Sequence, residues 1–324
     1  MTSKELTAVD NKLLNAESAS VEGLINQWII ECDVQPLTAK SYNAAAKVFV
    51  NWLISNDVTL SETALIDYRE WLKLNRSVSS AKLYFTICRK LTAWLAKRGY
   101  ISANFGDGLK GIKLDSSVHA RDALTLAETV EVLQSMTGET EKALRDNAIM
   151  TLLICCGLRC CEVVRADIGD IEKRRGIWCM KVHGKGRSGK NDSIVLPVEV
   201  KEVIDKYLAI RGKVKDTVPL FVSTSRRCKN QRLQTQTISR LAKRAFKNVG
   251  IESKRITCHS CRHTCATIAL ESGTSLDEVS KNLRHKSVAV TEIYRHDVQF
   301  FTNKTTNNVA GVIFARLKGA KIYG

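Results

Sequence analysis

Scattered along this sequence is a set of side chains able to stabilise a phosphoryl group under attack. Charge gathering on the equatorial oxygens of such a transition state calls for several fixed cationic donors, best as arginine forks. It also calls for a nucleophile and for an acid to serve the leaving oxygen. Arg159 stands just past a helix terminator, Gly157, and Glu162 follows three residues later, a spacing at which its carboxylate can orient a nearby cation. His259 and Arg262 fall at i and i+3 near the start of a predicted helix, so they project from one face beside its positive dipole end. His285 follows a helix break, Tyr294 comes nine residues later, and Lys185 sits in a Gly-rich turn. Taken singly, a Tyr, a Lys or a His at such places is most often packed or solvated, so the weight lies on the set.

Those residues need elements to hold them. Val21, Leu24, Ile25, Trp28, Ile29 and Cys32 share one helical face, with Ser20 as the expected N-cap. Tyr42, Ala45, Ala46, Phe49, Trp52 and Leu53 repeat the spacing, and Thr59 with Glu62 forms a capping-box pattern ahead of Leu65, Tyr68 and Leu72. A fourth helix is predicted from about 80 to 98, closed at Gly99, with Leu83, Ile87, Leu91, Trp94 and Leu95 on its apolar face. Thr125 and Glu128 make another capping box, and a helix runs through Ala148 to Cys156 before Gly157. Residues 177–183 and 193–196 read as two antiparallel strands around the turn 184–189. Helices return at about 198–211, 237–249, 258–272 and 276–283, the last opened by Ser275 and Glu278. The expected fold class is therefore mainly α with a small antiparallel β-sheet (α+β). Its expected domains are a tail (1–19), a helical bundle (20–112), a polar aperiodic linker (113–121) and a second domain (122–324).

Charge points to the partner. Lys and Arg number 50 against 33 Asp and Glu, a formal +17. Residues 1–121 carry only +3 of it, from 15 basic and 12 acidic side chains, so the second domain holds the excess. Two helices concentrate the cations. Lys82, Arg89, Lys90 and Lys97 lie beside the apolar face of helix 80–98. Arg240, Lys243, Arg244 and Lys247 lie opposite Ile238, Leu241, Ala242, Ala245 and Phe246 on helix 237–249. Basic stripes on two domains joined by a linker fit a clamp closing on a polyanion, double-stranded DNA.

Other classes fall away. At 324 residues the chain is no disulfide miniprotein, and its most apolar stretch, 148–158, is too short to span a bilayer. Residues 1–15 are polar and mixed in sign, so no export leader and no membrane partner are expected. Eleven cysteines, odd in number and including the adjacent pairs Cys155-Cys156 and Cys160-Cys161, suit a reduced core, and a cytoplasmic location is expected.

Four boxes then carry a resemblance. Residues 156–162 (CGLRCCE) resemble the first arginine box of the tyrosine recombinase (phage integrase) family. Residues 259–264 (HSCRHT) resemble its H-x-x-R-H box, and Leu283-Arg284-His285 with Tyr294 resembles its L-G-H box and nucleophile. The likeness runs over about residues 20–300, loosely in the first domain and closely in the second. It implies a SAM-like core-binding bundle followed by a catalytic domain, and site-specific recombination through a 3′-phosphotyrosyl link made by Tyr294. Arg159 and Arg262 would grip the non-bridging oxygens and His285 would donate to a phosphate oxygen. His259 would assist proton movement, and Lys185 would be the general acid for the 5′-oxygen, ahead of Lys190 because of its Gly-Lys-Gly context. Glu162 and His263 would support. No metal, ATP or other cofactor is then required.

With the first bundle entered near residue 20, binding to simple core sites only is expected, and the resemblance further implies a homotetramer on DNA. A C-terminal tail with Val309, Val312, Ile313 and Leu317 on one face would dock on a neighbouring copy, with accessory proteins as further partners. Integration or excision of a mobile element is the expected role. Xer-like dimer resolution, a type IB-like topoisomerase and a non-catalytic DNA-binding regulator remain alternatives. Two departures stand out. Arg284 replaces the family's Gly, so either the backbone there is less strained or Arg284 contacts DNA. Cys261 and Cys265 stand where larger apolar residues are common, and with Cys258, interleaved with His259 and His263, they also offer a rival metal or iron–sulfur reading. It is set aside because the spacing matches neither a zinc finger nor a ribbon, and the Cys155 and Cys160 pairs are read as core.

Overall fold

The computed structural model describes residues 18–113, 122–184, 189–285, 291, 292, 294, 305, 308–311, 313 and 314. The chain divides into two compact units, Met1–Ser116 and Ser117–Gly324, and the division falls within the stretch expected to be a linker.

Among the described residues, four helices build the first unit: α1 (Ser18–Glu31), α2 (Pro36–Ser55), α3 (Glu62–Asn75) and α4 (Val78–Lys97). Helix α1 is already under way at Ser18, ahead of the cap expected at Ser20. The cap of α3 is Ser61, whose hydroxyl accepts from the Ala64 N–H at 3.1 Å, so the Thr59–Glu62 box does not form. Trp28, Tyr42, Phe49, Tyr68, Leu72 and Phe85 are buried in one core. Trp28 stacks on Tyr42 at 5.2 Å between ring centroids and Phe49 meets Tyr68 at 4.8 Å. Such ring pairs each add about 0.5–1.5 kcal/mol beyond their buried area. The buried face of α4 is rotated from the expected one. Ala81, Phe85, Cys88 and Thr92 join Ile87, Leu91 and Leu95 inside, while Leu83 stays 46% exposed. Phe85 outcompetes Leu83 because an aromatic ring buries more apolar area.

The second unit is organised on α6 (Glu141–Cys155), preceded by α5 (Leu126–Gln134) and followed by the short α7 (Cys160–Arg165). The Thr125–Glu128 capping box is present on α5. Every residue from Ala148 to Ile154 is buried, as befits a helix with elements packed all around it. The sheet has three antiparallel strands, β1 (Ile171–Arg174), β2 (Ile177–Val182) and β3 (Asp192–Val195), in the order β1-β2-β3. Only β2 and β3 are expected from the sequence pattern. The two-residue connection Arg175-Gly176 between β1 and β2, both at positive φ, is the kind of turn that favours a tight hairpin.

Helices α8 (Val198–Arg211), α9 (Thr235–Asn248), α10 (Cys258–Glu271) and α11 (Leu276–Asn282) follow, the last capped by Ser275 and Glu278, and further helical residues are described within 291–294 and 305–314. Ile238, Leu241, Ala242, Ala245 and Phe246 of α9 enter the core, leaving its basic face outward. Among the described residues no helix is long and apolar enough to cross a membrane.

Candidate active site

Three helix boundaries meet at one place: the Gly157 turn between α6 and α7, the first turns of α10, and the end of α11. Gly157 allows the meeting. Its φ is +61°, and a Cβ there would lie 2.5 Å from Leu283 Cδ2 and 3.1 Å from Cys265 Sγ. Left-handed strain and the overlap together set the expected cost of Gly157→Ala at roughly 2–3 kcal/mol. Urea denaturation of the two proteins checks it, and an unchanged midpoint would contradict the tight approach.

Arg262 ties the boundaries together. It is 1% exposed, and its Nη1 donates to the Gly157 carbonyl at 2.7 Å while its Nη2 donates to the Leu283 carbonyl. Burial, and then the Arg159 charge, bring its pKa down to about 10, so the guanidinium remains a cation at neutral pH. Arg159 is the N-cap residue of α7. Its backbone N–H donates to Glu162 Oε2 at 2.8 Å and its Nη1 to Glu162 Oε1 at 2.8 Å. Glu162 is buried and takes a second guanidinium, Arg284 Nη2, at 2.9 Å. Burial pushes this carboxyl up, but the Arg284 charge and then the Arg159 backbone and side chain outweigh it, and its pKa lies below the ordinary value.

Arg284 corrects an expectation. Its φ of +55° keeps the left-handed backbone that the family's Gly would take, and its side chain, 6% exposed, turns inward to Glu162 instead of outward to DNA. The buried ion pair compensates a conformation that non-glycine residues resist. Its Nε has no partner among the described residues.

The phenol of Tyr294 stands beside this cluster. The ring is 5% exposed and packs with Ala266, Val279 and Leu283. His263 meets it edge-on at 5.0 Å, and His285 stacks on it at 6.1 Å. Burial raises the phenol pKa, with the Arg262 and Arg159 charges acting the other way. His259 is exposed on α10, with its ring 5.2 Å from His263. His285 Nδ1 lies 2.7 Å from Thr291 Oγ1. Burial, and then the charges of Arg262, Arg159, Arg284 and His259, lower the His285 pKa to about 4.

That depression makes stability pH-dependent in a definite direction. Above pH 6.5 the ring is neutral folded and unfolded. As pH falls toward 4 the unfolded chain takes up a proton that the folded one refuses, so stability declines across that window. Between pH 7 and 5 the protein is expected to lose roughly 1 kcal/mol more than His285→Gln, after allowance for solvent screening. Parallel urea titrations at the two pH values measure the difference; equal losses would contradict a neutral His285.

Thus Arg159, Glu162, Arg262, His263, His285 and Tyr294 gather in one place with His259 at the edge. Thr291 is an addition that sequence reasoning missed, since a hydroxyl six residues past His285 carries no spacing signal. Lys185 lies outside the described residues. Lys190, the alternative, is clasped by Asp167 Oδ2 at 2.6 Å and Asp170 Oδ2 at 2.5 Å. The rival metal triad diverges: Cys258 Sγ faces Cys160 Sγ, Cys261 is wholly buried, and Cys265 Sγ points to the Cys155 carbonyl. Of the pairs read as core, only Cys156 is buried; Cys155 is exposed and Cys160 and Cys161 are half-buried, because each lies at a helix boundary.

The basic helices are placed unevenly. Arg240, Lys243, Arg244 and Lys247 are exposed on α9, with Arg244 Nη2 held 2.9 Å from buried Asp146. On α4, Lys82, Lys90 and Lys97 are exposed, Lys90 Nζ bonding Tyr42 Oη at 2.8 Å, whereas Arg89 is half-buried and its Nε donates to the Gly106 carbonyl at 2.9 Å. Val309 and Ile313 in the tail are 53% and 51% exposed; the side chains of Val312 and Leu317 lie outside the described residues.

The phage integrase family model matches residues 123–299. Tyrosine recombinase XerC of Caldanaerobacter subterraneus is 36% identical over 203 residues, 62% of this chain and 54% of that protein, so the chain spans about half its length. A tyrosine recombinase of Synechococcus elongatus is 27% identical over 307 residues, covering 89% of this chain and 93% of that protein. Among solved structures, the XerH recombinase bound to palindromic difH substrate superposes with a TM-score of 0.72 at 16% identity, over 96% of this chain and 89% of that one. A lambda integrase tetramer bound to a Holliday junction gives 0.66 at 20% identity, over 85% and 76%. With its family match spanning more than half the sequence and its fold shared with these recombinases, this chain belongs to the phage integrase family.

Proposed function

We propose that the chain is a site-specific tyrosine recombinase that cuts and rejoins double-stranded DNA through a 3′-phosphotyrosyl intermediate on Tyr294. The observation that carries the reading is the gathering of Arg159, Arg262 and His285, which come from three separate boxes, around a buried phenol. Tyr294 Oη attacks the scissile phosphorus, the bond to the 5′-oxygen breaks, and the phosphate stays on the tyrosine; attack by a 5′-hydroxyl reverses the step.

Arg159 and Arg262 spend part of their donor forks on Glu162 and on two carbonyls, which fixes them, and their remaining N–H groups would donate to the non-bridging oxygens. With Nδ1 engaged by the Thr291 hydroxyl, Nε2 of a neutral His285 is the nitrogen that would donate to a phosphate oxygen, in the tautomer that carries its proton there, without adding charge. His259 assists proton movement at the nucleophile, with His263 packed between it and the phenol, and Lys185 supplies a proton to the leaving 5′-oxygen.

The basic face of α9, with Lys82 and Lys97 of α4, would neutralise backbone phosphates on a simple core site. The exposed Val309, Ile313 and Phe314 would dock on another copy to form a tetramer on DNA. We assign the cytoplasmic role of integrating or excising a mobile element. The XerC likeness favours a second reading, resolution of chromosome or plasmid dimers. A nicked suicide substrate tests the chemistry: without metal or ATP, the protein should be trapped on a 3′ phosphate, and peptide mapping should place the link at Tyr294. An adduct on another residue, or on a 5′ phosphate, overturns the proposal. Mapping the trapped ends on candidate junctions separates the two biological roles.

A further inference from the structure

Cys160 and Cys258 are separated by 98 positions in sequence, yet their Sγ atoms lie 2.8 Å apart. A bonded pair sits at about 2.05 Å, so closing the bond asks for roughly 0.8 Å of sulfur movement from the observed 2.8 Å. Each cysteine is the first residue of its helix, Cys160 of α7 and Cys258 of α10. Cys160 is half-buried, which leaves a path for a small oxidant, whereas Cys258 is buried behind it. The neighbouring thiols are less suited. Cys261 has no exposed surface and burial raises its pKa, and Cys265 points to the Cys155 carbonyl.

We propose that Cys160 and Cys258 are a reversible disulfide-forming pair, oxidised by a hydroperoxide and reduced by a dithiol, that cross-links the start of α7 to the start of α10. Cys160 sulfur attacks one peroxide oxygen, the O–O bond breaks, and a sulfenic acid forms as the other oxygen leaves as water. The Cys258 thiolate then displaces hydroxide from that sulfur. In total, two thiols and one hydrogen peroxide give one disulfide and two waters. The bond joins the residue after Arg159 to the residue before His259, so it pins two of the turns that meet at the site, whatever reaction the site performs.

The test uses the full-length protein, hydrogen peroxide, and iodoacetamide to block remaining thiols before digestion without reductant. Tryptic peptides 160–165 and 256–262 should be recovered joined, and dithiothreitol should separate them. Each peptide carries two cysteines, so fragment spectra, together with Cys160→Ser and Cys258→Ser, assign the bond. Because the bond closes a long loop, the oxidised protein should melt about 5–10 °C above the reduced one, and either serine variant should abolish the gain. A bond mapped to Cys161, Cys261 or Cys265, or Cys160 and Cys258 both still alkylated after peroxide, overturns the proposal. Should one serine variant fail to fold, the wild-type map and the other variant still decide.

Discussion

Tyr294→Phe is expected to leave DNA binding within about twofold of wild type while covalent adduct formation drops by roughly 10⁴ or more. The ring sits in a small apolar cluster with Ala266, Val279 and Leu283, and phenylalanine keeps every one of those contacts. Only the hydroxyl is lost, so stability should change by less than about 1 kcal/mol. Binding should persist because affinity for a duplex comes chiefly from cations on phosphates, and the variant removes none. Three measurements read the outcome: a mobility shift at fixed salt, the SDS-stable adduct on a nicked substrate, and the melting temperature. Loss of binding together with activity would mean that Tyr294 supports the fold of the pocket instead of attacking phosphate. A surviving adduct would point to a different nucleophile. Either result would also weaken the roles given to His259 and His263, which are argued through their contact with this ring.

The contrast between Arg262 and Arg284 indicates what a sequence can and cannot convey. Arg262 was legible because its box combines a helix start with His259 three residues before, and both spacing and dipole place that face at an anion. Helix positions were legible for the same reason: α8 and α9 show the expected periods, and the Thr125 and Ser275 caps read directly from residue types. Arg284 reads equally well as a surface cation. Its inward turn depends on Glu162, 122 residues away, and on a chain path that no local pattern encodes. The face of α4 failed through a competition between Leu83 and Phe85 for the core, which is settled by what α2 and α3 present. Strand β1 is short and its alternation is weak, so the Arg175-Gly176 turn was its one available signal.

Arg284 and Glu162 also supply the prediction with the largest effect on stability. Glu162 is paired to two guanidinium groups, Arg159 at 2.8 Å and Arg284 at 2.9 Å, and its side chain has no exposed surface. Glu162→Gln keeps the shape but removes the charge, leaving Arg284 buried as a cation without a counterion. Breaking a buried pair from one side costs about 3–5 kcal/mol. The same substitution loosens the contact that orients Arg159, so cleavage should fall by roughly 10² in addition. Arg284→Gly alone should be mild, within about 1 kcal/mol, because Glu162 keeps Arg159 and glycine accepts φ +55° without strain. Combining the two changes removes the stranded cation, so the double variant should recover about 1–3 kcal/mol relative to Glu162→Gln. Urea denaturation of the four proteins closes the cycle, and additive losses would show that the carboxylate is not shared. A second readout is independent of folding energy. The Arg284 charge is among the causes that hold His285 near 4, so Arg284→Gly should raise the His285 pKa, as followed by NMR titration of the imidazole.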